Sequence, residues 1–245
     1  MKKYRKGVRT KMPEIKKVPF EFHNESKEGK HILTLSGVIQ KRYWSDDKYI
    51  DAKLIRDNLD GVTDDVVIRL NSNGGDVFQG VEIYNYLKNH SSHITVEVMA
   101  TAASAATFIC AGADEVVMNV GTSFMIHEAE TVGWGNKTDI KKTLQALETI
   151  DDSILSIYAD KTGQSKDQIT TWINEARWFT ADEAVEFGFA NSVKRAEPQE
   201  EPQDIASMIQ DAVAVAMANL SQPVTNQVEQ EPKPKSLIAR LRKGE

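Results

Sequence analysis

The chain has 245 residues, of which 40% are hydrophobic and 27% charged, and its formal net charge is −6. This composition is that of an ordinary globular protein with room for one large domain or two small ones. Residues 1–17 carry eight Lys or Arg against one Glu, so the rest of the chain is acidic, and a nucleic-acid-binding function is disfavoured.

Cysteine use and hydropathy narrow the class of protein further. Cys110 is the only cysteine, which excludes an intramolecular disulfide, and no Cys/His spacing suits a zinc site. We therefore expect a reducing compartment and no metal. The longest uncharged run, Val98–Ala113, is too short and too weakly apolar to span a bilayer. Because the basic N-terminus also lacks the apolar segment of a signal peptide, we predict a soluble cytoplasmic protein without membrane contact.

No proline occurs between Phe20 and Glu197, and within this block strand and helix patterns alternate. Short β-branched runs predict strands, and apolar residues at a period near 3.6 predict helices. In chain order we predict strands at 31–38 and 66–70, a helix at 77–89, strands at 94–99, 115–118 and 123–126, a long helix at 136–161, a helix from about 165 and a helix at 180–187. Strands regularly followed by helices predict an α/β fold.

The proline-bearing ends differ from this block. We predict a basic flexible leader at 1–19, one folded domain at 20–195, and a Pro/Gln/Glu-rich tail at 196–245 with a short helix at about 204–220. Two interpretations of the tail stay open. It is either a disordered segment with a transient helix, or a docking element that orders against a partner.

Three short segments that could carry chemistry each follow a predicted strand: Asn71–Asp76 (NSNGGD), Thr101–Thr107 (TAASAAT) and Met125–Ala129 (MIHEA). The paired glycines could aim backbone N–H groups at an oxyanion, or could simply form a tight turn. Ser104, flanked by alanines, could be a nucleophile or the N-cap of a helix. His127 could be a general base or a hydrogen-bonded structural residue. Together the three segments supply the donors, nucleophile and base of acyl transfer.

These segments resemble those of the ClpP-type serine peptidases, and the resemblance covers about Ile32 to Val193. The motifs that carry it are NSNGGD at 71–76, AAS at 102–104, MIH at 125–127, TGQS at 162–165 and TADEAVEFG at 180–188. The Gly-Gly-Asp-Val-Phe run and the later Trp-Phe-Thr-Ala are similar to the phage and prophage branch of that family. Members of that branch are associated with capsid maturation.

The resemblance implies a ClpP/crotonase-like fold of repeated ββα units, with the long helix protruding as a handle. It implies that Ser104 is the nucleophile and that His127 is its general base and then acid. The backbone N–H groups of Gly74 and Ala105 would form the oxyanion hole, with Gly75 supporting the turn. No cofactor is implied. The implied partners are further copies of the chain in a ring, single or stacked in two, and capsid or scaffold proteins as substrates; whether an unfoldase ATPase takes part stays open.

Three positions depart from the family pattern. Asn73 replaces the usual proline of the glycine turn, and Ala100 replaces a glycine ahead of the Ala-Ala-Ser run. Ala176 stands at the position of the acidic third member of the triad. We predict that a one-residue shift brings Glu175 to His127 instead. Other candidates for that role are Asn174, Asp151 and Asp152.

The sequence therefore predicts a serine endopeptidase of the host cytoplasm, either free or associated with the prohead, that processes phage capsid or scaffold proteins during head maturation. A catalytically weak ring that serves as an assembly scaffold is the main alternative, and Ala176 favours it. A crotonase-like acyl-CoA enzyme is a second alternative. That chemistry does not require the Ser104/His127 pair, so the presence of both residues counts against it. A Ser/Lys peptidase of the signal-peptide-peptidase type would need a catalytic lysine and membrane attachment, and the sequence offers neither clearly.

Overall fold

Eight strands form a single mixed sheet in the computed structural model, which describes residues 18–44 and 46–195 together with Val213 and Met217. Most of the predicted leader and tail therefore lies outside the described residues. Val213 and Met217 are helical and fall within the range predicted as the tail helix. Within the described part of the chain, no helix has the length and apolar character needed to cross a membrane.

The elements alternate along the chain much as the sequence pattern predicts. The strands are β1 (Glu21–Lys27), β2 (Lys30–Ser36), β3 (Asp65–Ser72), β4 (Ile94–Ala103), β5 (Glu115–Asn119), β6 (Ser123–Met125), β7 (Trp178–Thr180) and β8 (Ser192–Lys194). The helices are α1 (Ala52–Leu59), α2 (Val77–Lys88), α3 (Ala106–Gly112), α4 (Lys137–Thr162), α5 (Lys166–Asn174) and α6 (Ala181–Glu186). The predicted α/β class is confirmed.

The sheet runs in the order β1-β2-β3-β4-β5-β8. The pair β1–β2 is antiparallel, and the remaining neighbours in this path are parallel. β4 is long enough to pair twice: its first half pairs with β5, and its last three residues pair with β6, which in turn pairs antiparallel with β7. Because β3, β4 and β6 are parallel, their carboxyl ends meet at one edge, where α/β proteins bind ligands.

The strands and the helix at this edge of the sheet are packed in the core. Along β3 every second side chain is fully buried, as expected for a strand covered by helices. All seven residues of α3 are buried, so the helix that follows β4 lies in the core. An aromatic cluster fills the space between α3, α4 and the last strands, and its buried members are Phe108, Phe124, Tyr158, Trp172, Phe179 and Phe189.

The long helix α4 is delimited as predicted. Asn136 and Asp139 form a capping box at its start, each side chain accepting from the other's backbone N–H, and Gly163 ends it in the left-handed conformation. The apolar residues that recur along this helix are only partly buried. Ile154 and Tyr158 pack in the core, whereas Ile140 and Leu144 are 45% and 56% exposed. The first half of α4 therefore presents an apolar face that the described residues of this chain do not cover.

Four elements escape prediction from the sequence pattern. β1 is an edge strand whose side chains are nearly all exposed, so it shows no hydrophobic alternation. The helix α1 has only eight residues, although Asp51 caps it by accepting from the Leu54 N–H at 2.8 Å. The strands β7 and β8 have three residues each and depend on pairing with distant strands. Short elements of this kind carry too little local periodicity to predict.

Candidate active site

The three sequence segments singled out for chemistry lie together at the carboxyl edge of the sheet. The glycine turn follows β3, Ser104 follows β4 and His127 follows β6. All three line one cavity of about 800 Å³. The sheet order explains this juxtaposition, because β4 lies between β3 and β6.

Ser104 lies on a sharp turn between β4 and α3. Its φ of +54° is in the left-handed region, which residues other than glycine rarely adopt. Its N–H donates to the Met125 carbonyl at 2.9 Å, and its carbonyl accepts from the Thr107 N–H at 2.9 Å and the Thr107 hydroxyl at 2.6 Å. The N-cap of α3 is Ala105, with no side-chain cap bond, so the interpretation of Ser104 as an N-cap is wrong. Its hydroxyl remains available for a partner in the cavity.

That partner is His127, whose Nε2 lies 2.8 Å from the Ser104 hydroxyl oxygen. The distance is that of a good hydrogen bond between a hydroxyl and an imidazole. His127 is partly buried and comes two residues after the end of β6. A serine hydroxyl in hydrogen-bond reach of a histidine is the arrangement of an activated nucleophile and its general base.

The glycine turn packs directly against Ser104. A Cβ on Gly74 would lie 2.5 Å from the Ala103 carbonyl oxygen and 2.8 Å from the Ala105 nitrogen, and one on Gly75 would lie 2.0 Å from the Ile39 carbonyl oxygen. Both residues also have positive φ, so only glycine fits at either position. Gly74 thus brings the backbone after β3 into contact with the turn that carries Ser104, and Gly75 packs against Ile39.

The donors on this turn are not equivalent. The Gly74 N–H donates to the Ser72 hydroxyl at 3.0 Å, whereas the N–H groups of Gly75 and Ala105 make no hydrogen bond to any residue that the structure describes. Of the two predicted oxyanion donors, Ala105 is therefore unoccupied and Gly74 is engaged by its own turn. The Gly75 N–H is a further donor on the same turn.

The far side of His127 lacks an acid. β7 pairs with β6 so that Met125 faces Trp178, and the Ile126 N–H donates to the Arg177 carbonyl at 3.2 Å. Extended by two residues beyond this ladder, the same register places Ala176 across from His127. Within the described ranges 18–44 and 46–195, no carboxylate lies within 4.0 Å of either ring nitrogen of His127. The histidines that do form ion pairs there are His23 and His93.

The predicted role of Glu175 does not fit this geometry. Glu175 is the C-cap of α5; its side chain is exposed and makes no hydrogen bond or ion pair with His127. The chain turns away because Ala176 has a φ of +48°, which redirects the backbone between α5 and β7. The three other candidates do not bond to the ring either: Asn174, Asp151 and Asp152 form no hydrogen bond or ion pair with it, and the Asp151 carboxylate instead accepts from the Ala129 N–H at 2.7 Å.

Comparison with known proteins agrees with the motifs at this edge of the sheet. The family model described as Clp protease matches residues 32–197. The chain belongs to the Clp protease family.

The similar relatives are proteolytic subunits of ATP-dependent Clp proteases. The chain is 32% identical over 131 residues to subunit 3 of Rhodococcus jostii, covering 53% of this chain and 65% of that protein. It is 30% identical over 132 residues to subunit 1 of Chlamydia abortus, covering 52% and 69%, and 29% identical over 149 residues to subunit 2 of Corynebacterium diphtheriae, covering 58% and 72%. The chain therefore spans just under two thirds of the Rhodococcus subunit.

The cavity beside the Ser104–His127 pair is the feature of this Clp family member that could hold a substrate side chain. Its polar lining comes from the glycine turn, the pair itself, Glu128 and Glu130. Its apolar lining comes from α3, β6 and α4, with Phe108, Met125, Leu147, Ile150, Ile154 and Tyr158. An extended peptide with an apolar side chain next to the scissile bond matches this division of the surface.

Two buried titratable groups lie behind the pair. Burial raises the pKa of the Tyr158 hydroxyl above its ordinary value, and that hydroxyl is 2.6 Å from the Thr107 hydroxyl. Burial also raises the pKa of the Cys110 thiol to about 12. Cys110 thus stays protonated at neutral pH and does not line the cavity. No group of three or more His, Cys, Asp or Glu in the described residues is arranged to hold a metal ion.

The contacts that support the pair were not predicted from the sequence. Thr107 and Tyr158 connect the Ser104 carbonyl to α4, and Asp151 connects the segment after His127 to the same helix. Tyr158 lies seven residues after Asp151, and this spacing places both on one face of the predicted helix. Nothing in the sequence indicates which strand-end segments that face contacts.

The glycine turn gives a direct test of this packing. We expect Gly75→Ala to lower the melting temperature well beyond Gly61→Ala, because a Cβ on Gly75 would lie 2.0 Å from the Ile39 carbonyl oxygen, whereas Gly61 also has a positive φ but no atom within 4 Å of its Cβ position. The φ strain alone costs about 1–2 kcal/mol, or roughly 2–8 °C for a protein of this size. Thermal unfolding followed by circular dichroism measures both variants. Equal shifts in the two would contradict the close approach of Gly75 to Ile39.

Proposed function

We propose that this Clp family member is a serine endopeptidase, and the observation that carries the proposal is the 2.8 Å hydrogen bond between the Ser104 hydroxyl and His127 Nε2. Its setting supports the same chemistry. The serine is on a strained turn, next to backbone N–H groups and open to an 800 Å³ cavity. No cofactor enters the proposal.

In the proposed mechanism the Ser104 oxygen attacks the carbonyl carbon of the scissile peptide bond while His127 Nε2 takes the hydroxyl proton. The carbonyl oxygen becomes an oxyanion, which the N–H groups of Ala105 and Gly74 stabilise. For Gly74 this requires leaving the Ser72 hydroxyl, and the Gly75 N–H can supply a donor from the same turn.

Collapse of the tetrahedral intermediate breaks the C–N bond, and His127 gives its proton to the leaving amine. This leaves an acyl-enzyme on Ser104. Water then attacks the ester carbonyl, with His127 as base, and the same N–H groups stabilise the second oxyanion. The peptide acid leaves and the Ser104 hydroxyl regains its proton. In this proposal Ser104, His127 and the backbone donors supply the nucleophile, the base and acid, and the oxyanion donors of each step.

Assembly into a ring, with α4 as the family's handle in a ClpP/crotonase-like fold, is part of the proposal. The exposed apolar face of α4 supports it, as do Val132 and Trp134, which are each 92% exposed just ahead of the helix. The relatives are subunits of proteases described as ATP-dependent, and an unfoldase ATPase is the corresponding partner here.

We propose that the substrates are phage capsid or scaffold proteins in the host cytoplasm, cleaved during head maturation. Support comes from the Gly-Gly-Asp-Val-Phe run at 74–78 and the Trp-Phe-Thr-Ala run at 178–181, which resemble the phage branch. Co-expression of the full chain with a capsid precursor tests this, with precursor cleavage followed by mass spectrometry. Cleavage at defined sites is expected. If the chain hydrolyses a fluorogenic peptide but does not cleave the precursor, the proposed peptidase activity stands and the proposed capsid substrate is wrong.

A catalytically weak ring that acts as an assembly scaffold is the second candidate, and Ala176 opposite His127 is the observation that favours it. This candidate predicts head assembly that depends on the chain but tolerates loss of Ser104. A crotonase-like acyl-CoA enzyme is less well supported, because its chemistry has no use for the Ser104–His127 hydrogen bond.

A further inference from the structure

The segment that carries His127 is anchored on both sides. Before it, the Ile126 N–H donates to the Arg177 carbonyl at 3.2 Å, which is the last bond between β6 and the chain leading into β7. After it, the Ala129 N–H donates to Asp151 Oδ1 at 2.7 Å. The second bond is short and its acceptor is a carboxylate oxygen, so it is the stronger type of backbone anchor. The backbone position of His127 is thus set by a strand on one side and by one carboxylate on the other.

The same helix that supplies this carboxylate also holds the nucleophile. Asp151 and Tyr158 are seven residues apart on α4 and therefore share a face, with the buried Ile154 between them. The Tyr158 hydroxyl contacts the Thr107 hydroxyl, which donates to the Ser104 carbonyl. One face of a rigid helix thus fixes the turn of Ser104 and the segment of His127 relative to each other.

Residues that could orient the imidazole directly are absent from the described part of the chain around His127. Ala176 has only a methyl group, and the Asp151 carboxylate lies beyond 4.0 Å of the ring nitrogens while bonded to Ala129. Because no carboxylate in the described ranges bonds to the imidazole, the orientation of the His127 ring depends on the position of its backbone. A misplacement of about 1 Å in such an arrangement costs on the order of 10²-fold in rate.

We propose that Asp151 is a positioning residue for His127, acting through the Ala129 N–H as a hydrogen-bond acceptor and not as the acid of a triad. This role rests on the proposed peptidase function. It assigns to α4 the orienting task that an acid at position 176 would perform. The role needs an oxygen that accepts from the Ala129 N–H, but it does not need a negative charge beside the His127 ring. It therefore predicts different results for Asp151→Asn and Asp151→Ala.

The test compares Asp151→Ala, Asp151→Asn and Asp152→Ala in the full chain, with hydrolysis of a fluorogenic peptide as the assay. Asp151→Ala is expected to lower kcat by about 10²-fold while KM stays within about twofold of wild type. Asp151→Asn retains kcat within about threefold, because its amide oxygen accepts the same bond. Asp152 is exposed on the next position of α4, and its side chain makes no hydrogen bond to the described residues, so Asp152→Ala is the matched control.

Amide hydrogen exchange of Ala129 reports on the bond without requiring turnover. We expect protection in wild type and Asp151→Asn, and its loss in Asp151→Ala. Three results would overturn the proposal: equal kcat for Asp151→Ala and Asp152→Ala, a folded Asp151→Asn as inactive as Asp151→Ala, or unchanged Ala129 exchange in Asp151→Ala. If Asp151→Ala does not fold, the isosteric Asp151→Asn still decides. A wild-type chain that hydrolyses no peptide while Ala129 remains protected would instead refute the proposed function, and this role with it.

Discussion

Ser104→Ala is expected to abolish peptide hydrolysis, with a loss in kcat on the order of 10⁵–10⁶-fold. The loss is this large because the proposed covalent route has no other nucleophile: Cys110 is buried with a raised pKa. Alanine keeps the Cβ, so the turn at φ +54° and its hydrogen bonds to Met125 and Thr107 should persist. The melting temperature should therefore change little.

Labelling by a fluorophosphonate measures the same substitution without a peptide substrate. Wild type is expected to react at one serine and Ser104→Ala not at all. Ser91→Ala, at an exposed position away from the cavity, should label like wild type. Labelling of Ser104→Ala at the wild-type rate would show that another residue is the nucleophile. Loss of labelling in His127→Ala, with the fold intact, would support its role as the base.

The location of the candidate site could be predicted from the sequence because each part follows a strand with a clear pattern. The runs at 66–70, 94–99 and 123–126 indicate strands, and parallel strands bring their carboxyl ends to one edge. This general rule alone predicts that Ser104 and His127 lie close together. The boundaries of α4 were equally predictable, since its cap and its terminal glycine are local signals.

The surroundings of His127 could not be predicted in the same way. Whether Glu175 or Ala176 faces the ring depends on the register between β6 and β7, which each contribute only three residues. A three-residue strand has no periodicity that fixes its register. The bonds from Asp151 and Tyr158 depend on how α4 packs across the sheet edge, and this is a tertiary property. Sequence reasoning therefore named Asp151 as a candidate but assigned it the wrong contact.

The absence of an acid at position 176 is the feature that most directly limits the proposed activity. In a Ser-His-Asp triad, removal of the acid's function lowers the rate by about 10⁴-fold while residual catalysis remains. Anchoring of the backbone by Asp151 fixes the position of His127 but supplies no charge to stabilise the imidazolium that forms when Ser104 loses its proton. We therefore expect wild type to be a slow peptidase whose chemical step can be accelerated.

Ala176→Asp is expected to raise kcat by about 10- to 100-fold, because it restores a carboxylate opposite His127. The expected gain is smaller than the roughly 10⁴-fold contribution of the acid in a Ser-His-Asp triad, because no neighbouring group among the described residues orients the new carboxylate. The backbone favours the change. At φ +48° alanine is strained, whereas aspartate and asparagine are the non-glycine residues that tolerate this conformation best.

Ala176→Asn is the matched control, because asparagine relieves the same strain without adding charge. Both variants should melt at or slightly above the wild-type temperature, and only Ala176→Asp should gain activity. Single-turnover hydrolysis of an activated ester and of a peptide separates the effect on acylation from that on product release. Equal activity of the two variants would show that the register opposite His127 differs from the one described. A gain in Ala176→Asp that survives Asp151→Ala would show that a charged partner on the ring makes the backbone anchor dispensable.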